Sequence, residues 1–128
     1  MHYNRIIIAA LLVITGIIHL MPTIGILGSE KLTSLYGLNF DEPNLAILMR
    51  HRAVLFGLLG AFLVLAAFKP KLQLIAITAG YISVVSFLIL AWLSPSYNLS
   101  IKKIVIADII ALVCLVGTTI LYLLNNKK

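Results

Sequence analysis

The chain has 128 residues, of which 62% are hydrophobic and 11% charged, and its mean hydropathy is +1.11. Soluble domains carry about 25% charged residues, so a water-soluble fold is excluded and lipid must solvate most of the surface. The net charge is +6, but the basic residues fall mostly in pairs at the ends of apolar runs (Lys69 and Lys71, Lys102 and Lys103, Lys127 and Lys128), where headgroup anchors sit; without a basic stripe interleaved with aromatics, nucleic acid is not an expected partner.

Four apolar runs follow one another. A span needs about 20 residues to cross about 30 Å of hydrocarbon. The first run, Ile6 to about Leu27, is a span in length rather than a signal peptide. In the connection from Gly28 to Glu42, Ser29 can cap a short interfacial helix that ends at Tyr36, with Gly37 as its stop. Leu32, Leu35 and Tyr36 would then face the membrane or cover the mouth of the bundle. Asp41-Glu42-Pro43 reads as a helix start, with an acidic cap and proline in the first turn.

The second run is Pro43 to Phe68, and Lys69-Pro70-Lys71 turns the chain into the third, Leu72 to about Leu93. After Ser94-Pro95-Ser96-Tyr97-Asn98 the fourth runs from about Ile101 to Leu124. The expected fold is all-α: one transmembrane domain over residues 1–128, an antiparallel up-down four-helix bundle with a short interfacial helix. The balance of Lys and Arg favours both termini in the cytoplasm. Small residues at four-residue spacing (Ala53, Gly57 and Ala61; Ala76 and Gly80; Ala107 and Ala111) let helices approach closely, within one bundle or in a homo-oligomer.

Each span carries strongly polar residues: His19 in the first, Arg50, His51 and Arg52 in the second, Ser83 and Ser86 in the third, Asp108 in the fourth. Counted from one face, His19, Arg50, Ser86 and Asp108 lie at about the same depth, roughly 10–12 Å from their helix ends. An intramembrane charge costs roughly 2.5–3.5 kcal/mol on translocon scales, so such residues face the interior, pair, or line a wet cavity. Arg50 shares a helical face with Ala46, Ala53, Gly57 and Gly60, which predicts an ion pair with Asp108. A buried pair that only sets helix register is the structural alternative. Against that stands the charge count, two arginines to one aspartate. Arg52 can instead snorkel to the headgroups. His19 suits a hydrogen bond to a neighbouring helix, a proton-handling pair with Asp108, or, with His51, axial ligation of a haem.

His19-Leu20-Met21-Pro22, Leu35-Tyr36-Gly37 and the stretch from Met49 through Arg50-His51-Arg52 to Gly57 resemble small bacterial four-helix membrane proteins of the DoxX-like kind. The resemblance covers essentially the whole chain. It implies a four-helix bundle and a link to redox or envelope physiology, without an agreed activity. Similar chains are sometimes labelled phosphopantetheine adenylyltransferase, but this one has neither a His-x-Gly-His motif nor a Gly-rich phosphate loop.

The expected function is binding: a pocket lined by His19, Arg50, His51, Arg52, Ser83, Ser86 and Asp108 takes an amphipathic anionic molecule or lipid headgroup. A small proton-coupled transporter using Asp108, and an accessory subunit of a membrane complex, are the rivals. No metal set, nucleophilic triad or cysteine pair is present, since Cys114 is the one cysteine. Neither a catalytic residue nor a cofactor is expected, and membrane lipids are the expected partners.

Overall fold

The computed structural model describes residues 2–127; Lys128, second of the C-terminal basic pair, lies outside them. Within them the chain is all-helical: α1 (His2–Leu20), a 3₁₀ segment (Met21–Leu27), α2 (Ser29–Tyr36), α3 (Pro43–Ala67), α4 (Pro70–Leu93) and α5 (Leu99–Asn126). In hydrocarbon every backbone N–H and C=O must be paired within the chain, which a helix does locally. Four stretches are long and apolar enough to cross a membrane: His2–Leu27, Pro43–Ala67, Pro70–Leu93 and Leu99–Asn126. Leu58, Ile82 and Val113 on their outer faces are all more than two-thirds exposed, which water would not tolerate at this density and lipid does. The chain is a multi-pass membrane protein.

The spans form a ring. α1 packs on α3 and α5, and α4 packs on the same two helices, so α3 and α5 stand diagonally across the bundle, as do α1 and α4. One core cluster joins Ile8 and Leu12 to Leu63, Ala66, Ala76 and Ile77. A second joins Val84 to Ala111 and Leu115. The tightest crossing is between α1 and α3. A Cβ on Gly60 would lie 2.8 Å from the Gly16 carbonyl oxygen, and one on Gly16 would lie 2.9 Å from that of Gly60. Not all of the predicted small-residue stripes are buried: Ala76, Gly80 and Ala111 are, but Ala61 faces outward.

The first span is not one α-helix. Pro22 has no N–H and its ring obstructs the carbonyl four residues back, so the α-helix gives way to 3₁₀ geometry directly after Leu20. The short helix expected from Ser29 forms, and Gly37 ends it in the left-handed conformation at φ 67°. Ser29 is not its cap, however: Gly28 holds that position, and the Ser29 hydroxyl donates to the Phe40 carbonyl at 2.9 Å. Leu32, Tyr36 and Phe40 bury together, so α2 covers the end of the bundle.

Glu42 caps α3, accepting from the backbone N–H of Leu45 at 2.7 Å and of Asn44 at 3.1 Å. These bonds hold its carboxyl below the usual carboxylate value. A lowered folded pKa means the cap stabilises fully above the unfolded value and weakens as pH falls through the folded one. Amide exchange in the first turn of α3 is therefore expected to accelerate below about pH 4, near the reference pKa of glutamate. In Glu42→Gln that exchange should lose its pH dependence beyond the intrinsic chemical rate.

Candidate functional site

The ring is recessed at both ends, and the end beneath α2 is the hollow that gathers residues from every helix. The hollow is a cavity of about 270 Å³ under α2. Every span and α2 contribute to it: Ile18 and His19 from α1, Tyr36 from α2, Arg52 and Phe56 from α3, Phe87 from α4, and Lys103 and Asp108 from α5. Its volume approaches the lower end of the range for small-molecule sites, about 300–1,000 Å³.

His19 is 2% exposed and fixed on three sides. Nδ1 stands 2.8 Å from the Thr15 carbonyl, which can only accept, so this nitrogen carries the proton. In the neutral ring Nε2 must then accept, and the Ser83 hydroxyl, 3.1 Å away across the diagonal to α4, donates to it. The ring also stacks on Phe56, with centroids 5.8 Å apart at 21°. Intramembrane hydrogen bonds between helices average about 0.6 kcal/mol and reach about 1.7. Ser83→Ala is expected to lower stability by about 1 kcal/mol, near that scale, read as an earlier thermal transition, and to leave the helix content unchanged.

Arg52 is the cation aimed into the cavity. Its Nη1 donates to the Tyr36 hydroxyl at 2.5 Å, and its guanidinium carbon lies 4.5 Å from the Phe56 ring centroid and 5.3 Å from that of Tyr36. Two aromatic faces thus flank the partly buried guanidinium, where cation–π attraction is worth about 0.5–2 kcal/mol. Asp108 faces it from α5. Asp108 is 9% exposed, and among the described residues it has no hydrogen-bond or ion-pair partner; the charge that bears on it is that of Arg52. Lys103 and Asp108 lie about 140° apart around α5, and both border the cavity, with Ser100, Ile104 and Ala107 on the arc between them. The cavity therefore carries two cations and one carboxylate.

The predicted Arg50–Asp108 ion pair is corrected. Arg50 is exposed, lies outside the cavity lining, and donates through Nε to the Ile26 carbonyl at 2.8 Å. The 3₁₀ segment ends there, leaving a carbonyl that needs a donor. Angular position explains the exchange of roles. The buried face of α3 runs through Ala53, Gly60, Leu63 and Ala67. At about 100° per residue, Arg52 lies roughly 60° from the centre of that face and Arg50 roughly 100°. His51 points to the far side and is exposed, so it cannot share a haem with His19, whose two ring nitrogens are engaged within the bundle.

Of the remaining expected residues, Ser83 serves His19 without lining the cavity. Ser86 is exposed and donates back to the Ser83 carbonyl at 3.0 Å. His19, Arg52 and Asp108 do come together. Tyr36 and Lys103 complete the site and were not anticipated there. Lys103 had a readable signal, its place on the Ser100–Lys103–Ala107 face, obscured by its resemblance to a headgroup anchor. No known protein family, no curated protein and no solved structure matches this sequence.

Proposed function

We propose that the chain is a ligand-binding protein of the bacterial inner membrane, an antiparallel up-down bundle with both termini cytoplasmic and α2 at the outer interface. Its ligand is an amphipathic anion whose carboxylate or phosphate enters the cavity under α2. One observation carries the reading: Arg52 and Lys103, on diagonally opposed helices, border one cavity whose sole carboxylate is Asp108. Arg52 is partly buried and Lys103 is exposed at the rim, so both charges are open to an anion that enters the cavity. Here one positive charge is left over. The surrounding Ile18, Phe56, Phe87 and Ile104 suit the apolar part of such a molecule. The DoxX-like resemblance agrees with this architecture and adds no ligand.

Native mass spectrometry on protein released gently from membranes tests the proposal. Retention of an anionic lipid or metabolite by the wild type, lost in Arg52→Ala, is expected. Wild-type protein that carries no anionic adduct, and gains none when anionic lipid is added back, would overturn it.

A further inference from the structure

The cavity under α2 does not end at Arg52. A second compartment of about 400 Å³ lies behind it, between α3 and α5 beneath the loop that joins α2 to α3. Leu45 and Met49 of α3, Ile101 of α5, and Leu38 and Phe40 of the loop line it, and Arg52 is its one charged lining residue. Four side chains belong to both compartments: Tyr36, Arg52, Phe87 and Ile104. They form a throat, and the hydrogen bond from Arg52 to the Tyr36 hydroxyl stands in it. Charge is therefore distributed unevenly between the two compartments. On one side of the throat are Lys103, Asp108 and His19; on the other the walls are nearly all hydrocarbon.

We infer that the two compartments form one site for a single-chain lipid with an anionic headgroup, the headgroup held beside Arg52 and Lys103 and the hydrocarbon chain threaded past Tyr36 into the Leu45–Met49 compartment. The inference rests on the anionic-ligand reading and adds where the chain lies. Polar and apolar ends match the two sides of the throat. The compartment's outer residues, Leu38 and Leu45, are 53% and 38% exposed, so it opens at the protein surface beside the loop between α2 and α3. A free small anion would leave the larger compartment unused.

Photo-crosslinking of the full chain in zwitterionic nanodiscs tests this with two long-chain fatty acid probes. One carries a diazirine at the chain end, the other beside the carboxylate. The carboxylate-end probe is expected to label cavity residues such as Ile18 or Phe56, and the chain-end probe Leu45, Met49 or Phe40. Met49→Trp should fill the compartment and abolish chain-end labelling at Leu45 and Phe40. Leu45→Trp is the second blocking variant should the first fail to fold. If the carboxylate-end probe labels the cavity but the chain-end probe labels only outward side chains such as Leu48 and Leu55, or ignores both tryptophans, this inference falls and the anionic-ligand reading stands. If neither probe labels the cavity, both fall.

Discussion

Replacing Arg52 with alanine is expected to weaken binding of an anionic amphiphile by about 10- to 100-fold, the scale of one hydrogen bond to a charged group, about 1.5–3 kcal/mol. The loss is direct, because Arg52 is the one arginine that lines the cavity. It is also indirect, because Phe56 and Tyr36 lose the flat cation they enclose. Arg52→Lys should recover part of the affinity, since it restores charge but not the planar stacking surface. Arg50→Ala is the contrast. It should leave affinity within about twofold and lower stability by about 1 kcal/mol, the net worth of its bond to the Ile26 carbonyl. Titration of an alkyl phosphate into nanodisc-embedded protein separates the cases. Equal losses for the two arginines would mean that the cation in the cavity has been misassigned.

The second large effect is expected at the α1–α3 crossing. In Gly60→Ala the new methyl would stand 2.7 Å from the Leu20 Cγ, 2.8 Å from the Gly16 carbonyl oxygen and 2.9 Å from the Leu20 nitrogen. Two of these atoms are backbone and cannot turn aside, so the helices must separate. Overpacking of this kind costs about 1–3 kcal/mol, and loss of the dispersion contacts along the seam adds to it. Gly117→Ala is the control, since its methyl would meet only the end of the Leu11 side chain, at 3.2 Å. Thermal unfolding in nanodiscs should show a clear fall in midpoint for the first and little change for the second. Separation at Gly60 would also shift Leu20, next to His19, so the stacking of His19 on Phe56 should loosen with it.

The four spans were legible because lipid imposes a length and an apolar composition that few other structures need. Pro43 and Pro70 begin two of them, and Gly37 ends the short helix α2, through local backbone chemistry that the structure keeps. The polar layer was legible as a depth and not as a set of neighbours. Depth follows from counting residues, whereas neighbours follow from how the ring closes. Arg50 and Arg52 sit on the same helix, yet only Arg52 turns toward Asp108, while Arg50 reaches the Ile26 carbonyl.

The choice between Arg50 and Arg52 turned on which small residues mark the buried face. Gly57 suggested one line, and its closest neighbour proves to be Thr23 of the 3₁₀ segment rather than the bundle centre. That segment itself displaced the expectation. A continuous α-helix would not have needed Arg50 as a donor at Ile26. Tyr36 was foreseen as a cover, but its hydroxyl in the throat depends on the path of α2, which periodicity does not specify.

Asn98 ties two of these elements through one side chain. Its Oδ1 accepts from the Ile101 N–H, starting α5, while its Nδ2 donates to the Tyr36 carbonyl at the end of α2. Aspartate caps helices about as well as asparagine but has no proton to give. Asn98→Asp should thus keep α5 intact and release α2, visible as faster amide exchange confined to Ser29–Tyr36. In mechanical terms the amide is a linkage: the helix that carries Lys103 and Asp108 and the short helix that supplies Tyr36 share one fastening. Movement of α5 as its charges take up a ligand would pull directly on the roof above it.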